Sequence, residues 1–190
     1  MTDVTWNTGT STGYSVNTST NVATKNSGSD SWTDNYIRSN EDFDVSSGTH
    51  TITFTRPTSA MSTMLGFNKD SLNHYFTNSN DFSIYLNDQK MTIYESGSLV
   101  HNESGTLDLT DTFKIEISSS SAKYYINNSL KYTSSSTPSG TYYVDAHAYQ
   151  NGSPTPSDLE SSQGGTSSSD VNGHAHLKPL HIFRRQRDWF

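Results

Sequence analysis

Apolar and polar residues alternate along most of the segment from residue 81 to residue 149, in short runs separated by turns. In one run, Phe113, Ile115 and Ile117 alternate with Lys114 and Glu116. Successive side chains of a β-strand point to opposite faces, so this period of two predicts strands with one buried and one presented face. We expect six residues in particular to be buried: Phe82, Ile84, Phe113, Ile115, Ile117 and Val144.

The same pattern predicts about a dozen short strands, at the spacing typical of a β-sandwich. They lie near Val4–Trp6, Tyr14–Val16, Asn21–Lys25, Asn35–Ser39, Thr49–Thr55, Ser62–Phe67, Phe82–Asn87, Lys90–Glu95, Leu99–Asn102, Thr112–Ser118, Ala122–Asn127, Ser129–Thr133 and Thr141–Tyr149. The pairs Asn87-Asp88, Ser96-Gly97 and Asn127-Asn128 tolerate the positive φ angles of tight hairpin turns. No helix of useful length is evident, although Asp70–Tyr75 is compatible with one turn.

The composition supports an all-β chain. Ser and Thr make up 58 of the 190 residues, whereas charged residues are only 16%. The predicted fold class is therefore a jelly-roll β-sandwich of two antiparallel sheets with a flexible C-terminal arm. The absence of cysteine excludes disulfides and thiolate chemistry. Residues 1–6 lack the basic start and apolar run of a secretory signal, and no stretch reaches the length of a membrane span.

Charge is distributed unevenly along the chain. Residues 1–173 hold 8 Lys and Arg against 18 Asp and Glu, a net charge of -10. Residues 174–190 hold four Lys and Arg against Asp188, a net charge of +3. An acidic body repels a phosphate backbone, so we expect no nucleic acid at the sandwich.

The composition changes after Tyr149. These changes predict a sandwich over residues 1–149, a flexible Ser/Gly-rich linker over 150–173 and a basic, aromatic tail over 174–190. We interpret the tail as a docking element carried by Phe183, Arg184, Arg185, Arg187, Trp189 and Phe190. The alternative is an extension with no role of its own.

Seven short motifs follow one another between Trp32 and Tyr149. They are Ile52-Thr53-Phe54, Met64-Leu65-Gly66-Phe67, Phe82-Ser83-Ile84-Tyr85, Thr92-Ile93-Tyr94-Glu95, Asp111-Thr112-Phe113-Lys114-Ile115-Glu116, Lys123-Tyr124-Tyr125-Ile126-Asn127 and Tyr142-Tyr143-Val144-Asp145-Ala146. This span resembles the concanavalin A-like lectin/glucanase superfamily, in particular the SPRY-like single-domain modules of bacteriophage and bacterial surface proteins. Asn128 stands where the hairpin of that family usually has glycine, and asparagine tolerates the left-handed conformation there.

The resemblance also defines what an enzyme of this kind would need. Glycanases of the superfamily carry a Glu-x-Asp-x-x-Glu strand, because retaining hydrolysis uses two carboxyl groups about 5 Å apart. This sequence lacks that spacing. Its nearest acidic cluster, Glu41-Asp42-Phe43-Asp44, precedes a Ser-Ser-Gly turn, so we expect it in a solvated loop. The prediction is a protein without enzymatic activity.

The presented faces suggest a sugar-binding site. Tyr143, Asp145, His147 and Tyr149 share one face of the last predicted strand, and Tyr85, Tyr94 and Tyr125 fall on the presented phase of their own strands. Aromatic rings stack on sugars, while carboxylate and imidazole groups bond to hydroxyls. The alternative is that several of these residues are buried against a second layer or a neighbouring subunit. Trp6 and Trp32 are expected to pack in the core or at an edge.

No metal or cofactor is predicted. Imidazole groups of His174, His176 and His181 lack a nearby carboxylate or cysteine on an ordered scaffold. Calcium needs several convergent oxygens, and the acidic loop residues Asp70, Asp81 and Asp108 form no recognisable calcium loop.

The leading functional hypothesis is a non-enzymatic carbohydrate-binding or adhesive module on a particle surface. A phage virion protein, such as a capsid decoration, fibre or tail component, fits best. Its partners would be a surface glycan and, through the tail, its own subunits or a capsid or tail protein; no membrane is expected. Two alternatives stay open: a purely structural self-assembly protein, and a secreted bacterial glycan-active domain at the extracellular or cell surface.

Overall fold

Antiparallel strands form almost all of the regular structure. The computed structural model describes residues 2–32, 35–56, 62–69, 80–87 and 90–165. Among these residues the strands are β1 (Thr2–Asp3), β2 (Trp6–Thr12), β3 (Tyr14–Asn17), β4 (Val22–Lys25), β5 (Tyr36–Asp44), β6 (Gly48–Thr55), β7 (Thr63–Asn68), β8 (Phe82–Asn87), β9 (Lys90–Glu95), β10 (Ser98–Asn102), β11 (Thr112–Ile117), β12 (Ala122–Ile126), β13 (Ser129–Thr133), β14 (Thr141–Ala148) and β15 (Ser157–Gly165). The 3-10 turn Val45–Ser47 joins β5 to β6. Within the described ranges, no helix is long and apolar enough to cross a membrane.

Two large sheets form a sandwich. The six-stranded sheet has the order β1-β15-β6-β11-β12-β13, and the seven-stranded sheet has the order β10-β9-β8-β7-β14-β5-β2. The strands β3 and β4 pair separately as a small two-stranded sheet. The predicted all-β sandwich of two antiparallel sheets is therefore confirmed.

The core lies between the two large sheets and uses the predicted apolar phase. All six residues expected to be buried are at most 4% exposed. Aromatic contacts join neighbouring strands within each sheet: Phe54 of β6 stacks on Phe113 of β11 with ring centroids 5.7 Å apart, and Phe67 of β7 meets Tyr142 of β14 edge-on at 6.2 Å. The alternation thus predicted the strand register correctly, because a slip of one residue would turn every side chain to the other face.

The C-terminal boundary of the sandwich differs from the prediction. The strand β15 lies inside the predicted flexible linker over 150–173 and pairs with both β1 and β6. The linker assignment is therefore wrong for residues 157–165. Ser, Gly and Gln give this strand no apolar alternation, but the ladder hydrogen bonds that hold it are made by the backbone. Leu159 is the one bulky apolar side chain that the strand buries.

The acidic cluster of residues 41–44 also lies in regular structure. It forms the end of β5, so its assignment to a solvated loop is wrong. Phe43 is buried in the core, the Glu41 carboxylate accepts hydrogen bonds from Thr5, and Asp44 caps the 3-10 turn through the Ser46 N–H. These contacts give two of the three carboxylates structural roles.

Candidate ligand-binding site

The strand β14 presents its predicted polar phase on the outer face of the seven-stranded sheet, the side turned away from the core. Val144 and Ala146 are fully buried in the core. Alternation along the strand therefore places Tyr143, Asp145 and His147 on the outer face. The strands β5 and β7 flank β14 on either side and add their own outward side chains to this face.

The carboxylate of Asp145 is fully buried on this outer face and is bonded to its neighbours. Arg38 donates from Nε to Oδ1 at 2.7 Å and from Nη2 to Oδ2 at 2.6 Å. The Nδ2 of Asn68 donates to Oδ2 at 2.7 Å. Burial alone would lower the pKa of the Arg38 guanidinium, but the hydrogen bond and charge of Asp145 raise that pKa overall. Asp145 is therefore closed to the hydroxyl groups of a sugar, and its assignment as a sugar contact is wrong.

Tyr143 and His147, the neighbours of Asp145 on this face, are also in contact with other side chains. The Arg38 Cζ lies 4.9 Å from the centroid of the half-buried Tyr143 ring, a cation–π contact. His147 is only 1% exposed, and its ring lies 6.5 Å from that of Tyr36. The assignment of His147 to sugar binding is thus corrected as well, because a ligand cannot reach a side chain so deeply buried.

Four aromatic rings meet elsewhere on the outer face and form what we call the aromatic cluster: Trp32, Tyr85, Tyr94 and Tyr149. Trp32 lies 5.6 Å from Tyr85 and 5.5 Å from Tyr149 between ring centroids, and Tyr85 lies 6.1 Å from Tyr94. Tyr149 is 36% exposed, and the other three rings are half-buried. The cluster thus brings together three of the seven predicted sugar-binding residues.

The sheet register explains why two of these rings meet. Ser83 pairs with Tyr94 and Tyr85 pairs with Thr92 across β8 and β9, so the two tyrosines are diagonal neighbours on one face. Such diagonal pairs lie within reach of long aromatic side chains. The alternation of β8 and β9 was therefore sufficient to predict this half of the cluster.

Trp32 reaches the cluster from a segment without strand structure. The N–H of the preceding residue, Ser31, donates to the carbonyl oxygen of Tyr149 at 3.0 Å and holds this segment beside the end of β14. Both tryptophans are expected in the core or at an edge: Trp6 is a core residue at 5% exposure, whereas Trp32 is half-buried outside the core and packs against Tyr85 and Tyr149. The sequence signal that could have identified Trp32 is its position among polar residues on both sides, where no apolar alternation directs it inward.

Tyr125 does not belong to this site. It lies on β12 in the six-stranded sheet, between the buried neighbours Tyr124 and Ile126, so its ring points away from the core on the opposite side of the sandwich. The Lys114 Nζ lies 3.9 Å from its ring centroid, and its hydroxyl donates to Glu116 at 3.4 Å. The grouping of Tyr125 with the other tyrosines is therefore corrected.

Other candidate ligand groups give no site in the described part of the chain. No group of three or more His, Asp or Glu side chains there is arranged to hold a metal ion. Asp81 accepts the Lys69 N–H, and Asp108 contacts Asp111 through its own N–H. Asp70, His174, His176, His181 and the tail residues Phe183, Arg184, Arg185, Arg187, Trp189 and Phe190 lie outside the described residues.

Comparison with solved structures identifies the fold. The PSpry domain of TRIM65 matches with a TM-score of 0.58 and 9% identity, over 83% of this chain and 92% of that domain. The Emp47p carbohydrate recognition domain matches with a TM-score of 0.54 and 13% identity, over 86% and 94%. The polysaccharide lyase family 7 alginate lyase AlgAT5 matches with a TM-score of 0.51 and 18% identity, over 80% and 82%. This chain therefore shares the β-sandwich fold of these domains, which is the fold that its resemblance to concanavalin A-like proteins implied.

That fold is found among binding domains and enzymes alike, so the fold by itself does not decide the activity. No protein-family model and no curated protein matches the sequence. The chemistry of the outer face must carry any functional argument.

Proposed function

We propose that this protein is a non-enzymatic carbohydrate-binding module whose ligand stacks on the aromatic cluster. The observation that supports this most directly is a row of four partly exposed rings on one face, in which successive rings are 5.5–6.1 Å apart. An aromatic ring offers a large apolar surface to the C–H face of a sugar, while a tyrosine hydroxyl or an indole N–H bonds to sugar hydroxyls. The carbohydrate recognition domain of Emp47p has a similar fold, which is consistent with this proposal.

The angles between the rings favour a particular kind of glycan. Trp32 makes interplanar angles of 73° with Tyr85 and 57° with Tyr149, and Tyr85 makes 75° with Tyr94. A flat crystalline polysaccharide would contact coplanar rings. Rings that are 5.5–6.1 Å apart and steeply inclined contact one another and form no coplanar platform, so a single sugar unit would stack on one exposed ring. The ligand we propose is therefore a soluble oligosaccharide or the exposed end of a chain.

The carboxyl groups support a binding role over hydrolysis. Hydrolysis of a glycosidic bond uses two carboxyl groups flanking the bond, one of them able to donate a proton. Asp145, the acidic residue predicted to lie among the sugar contacts, is fully buried and already bonded to Arg38 and Asn68. The aromatic cluster itself contributes rings and hydroxyls, which suit recognition.

The proposal includes a setting for the module. We place it on a particle surface, with a phage virion as the first candidate, held by its basic tail to its own subunits or to a capsid or tail protein. The support comes from the SPRY-like motifs in the sequence and from the opposite net charges of body and tail, -10 and +3. The same tail would serve a purely structural assembly protein that has no glycan ligand.

Glycan binding is tested with a broad array, followed by titration of hits in solution. Tyr149→Ala and Tyr85→Ala should each weaken binding about tenfold or more, as expected when a stacking contact of roughly 1.4 kcal/mol is lost. Tyr125→Ala is the matched control, because its ring lies on the other sheet and should leave the affinity unchanged. Absence of any signal for the wild type at millimolar glycan would overturn the proposal and leave the structural role.

A further inference from the structure

Lys25 is a fully buried lysine whose ammonium group is surrounded by backbone carbonyl oxygens. Its Nζ lies 3.3 Å from the oxygen of Ser29, 2.6 Å from that of Ser31, 3.1 Å from that of Ala148 and 3.0 Å from that of Tyr149. An ammonium group has three N–H donors, so these four acceptors share all of them. Lys25 is the last residue of β4, and its side chain thereby joins the segment of residues 29–31 to the end of β14.

The convergence of four carbonyl groups on one point requires a cation. The negative ends of their dipoles face one another, and without the ammonium group between them these oxygens would repel each other and lose the hydrogen bonds that it donates. Burial lowers the pKa of Lys25, and the nearby Asp30 carboxylate acts in the opposite direction. Asp30 also accepts the Asn151 N–H at 2.8 Å, which ties the same two segments together a second time.

This arrangement bears directly on two residues of the aromatic cluster. Ser31, whose oxygen makes the shortest contact with Lys25, immediately precedes Trp32. Tyr149, which contributes another of the four oxygens, is itself a member of the cluster. Its carbonyl oxygen accepts from both the Lys25 ammonium and the Ser31 N–H, so one atom links the lysine to both sides of the Trp32–Tyr149 contact.

We infer that Lys25 is a positioning residue of the ligand site: its ammonium holds residues 29–31 against the end of β14 and thereby sets the Trp32 ring beside the Tyr149 ring. The role of Lys25 in glycan binding rests on the proposed function. Its role in setting the Trp32 ring beside the Tyr149 ring does not depend on that function.

The test compares Lys25→Met, which keeps an unbranched side chain as far as the Cε position and removes the ammonium group, with Lys123→Met as a matched control. Lys123 lies on the six-stranded sheet, where its side chain is 36% exposed.

Amide hydrogen exchange is followed by mass spectrometry. In Lys25→Met we expect residues 29–32 to exchange at least tenfold faster while residues 113–117 of β11 stay protected, and glycan affinity to fall at least tenfold. The control should change neither. Unchanged exchange at residues 29–32 would overturn the inference, whereas a wild type without glycan affinity would overturn only the proposed function.

A second variant covers the case in which Lys25→Met unfolds the whole sandwich. Lys25→Ala removes three carbons and the ammonium, which together correspond to n-propylammonium. Adding n-propylammonium to this variant should restore slow exchange at residues 29–32, while the neutral 1-propanol should not. Recovery with the cation alone supports the positioning role, because a purely packing role would be satisfied equally by the alcohol. Equal recovery with both compounds, or recovery with neither, would overturn it.

Discussion

Arg38 of β5 and Asp145 of β14 form a bidentate ion pair in which the carboxylate is fully buried on the outer face of its sheet. Removing one partner of such a pair leaves the other charge buried and uncompensated. Asp145→Ala should therefore lower the free energy of unfolding by about 3–5 kcal/mol. Urea denaturation of the wild type and the variant measures this difference.

The double variant Arg38→Met/Asp145→Leu provides the control for this prediction. Replacing both charges with apolar side chains of similar size removes the desolvation cost together with the attraction, and such replacements are often close to neutral. We expect the double variant to be clearly more stable than Asp145→Ala. Additive losses from the two single replacements would contradict the idea that the pair acts as a unit.

The core register is tested at Ile115, which is fully buried in the middle of β11. Ile115→Ala should cost about 2–5 kcal/mol, because apolar burial is lost and a cavity remains. Leu130, on the edge strand β13, is 51% exposed and serves as the control. Leu130→Ala should change stability by no more than about 0.5 kcal/mol. Equal melting temperatures for Ile115→Ala and the wild type would reject the register.

The accuracy of sequence-based prediction followed the strength of the alternating pattern. Strands such as β8 and β11 have regular alternation, and both their positions and their buried faces were predicted. The strand β15 was missed because its small polar residues carry no such pattern, although its backbone completes the sheet. Alternation of apolar and polar side chains predicts strands that bury one face. It does not predict a strand that is held mainly by backbone hydrogen bonds.

The candidate site shows the same limit. Alternation correctly placed Asp145 on the outer face but could not reveal that Arg38 and Asn68 occupy its oxygens, since partners on neighbouring strands depend on pairing between distant segments. The packing partners of Trp32 could not be predicted for a related reason. The contact of Trp32 with Tyr149 depends on a turn and on the buried Lys25, and the local alternation of apolar and polar residues predicts neither.

The hairpin between β12 and β13 allows a test of backbone conformation. Asn127 and Asn128 both have positive φ angles, 50° and 62°. Asn127 accepts the Thr112 N–H and donates to Asp111, whereas the Asn128 side chain is exposed. Asn128→Gly should leave stability unchanged or raise it slightly, because glycine adopts this conformation freely. Asn128→Val should cost about 1–2 kcal/mol, since a Cβ branch disfavours the left-handed region.

Thermal unfolding of both Asn128 variants, with Asn128→Ala as an intermediate case, checks the order Gly, Ala, Val. A valine variant as stable as the glycine variant would mean that the hairpin does not require the left-handed conformation at this position.

The C-terminal boundary of the sandwich is tested by truncation after residue 149. The strand β15 lies between β1 and β6, and the Ser153 carbonyl accepts the backbone N–H of Lys25. Residues 1–149 should therefore fail to fold, because one whole strand and the segment that supports β4 are lost. Circular dichroism and a cooperative melt distinguish this outcome from the earlier linker assignment, which predicts a stable fragment.

Truncation after residue 173 isolates the proposed docking role of the tail. The strand β15 ends at Gly165, so eight residues of sequence, 166–173, lie between the sandwich and the tail. The tail's net charge of +3 complements the body's -10, so a second copy of the chain is the simplest partner.

Residues 1–173 should remain folded but become monomeric and more soluble, as measured by light scattering after size-exclusion chromatography. Full-length protein with Arg184, Arg185 and Arg187 changed to Ser should assemble more weakly and lose its dependence on salt. An oligomer of unchanged size in the truncated protein would show that the tail has no docking role.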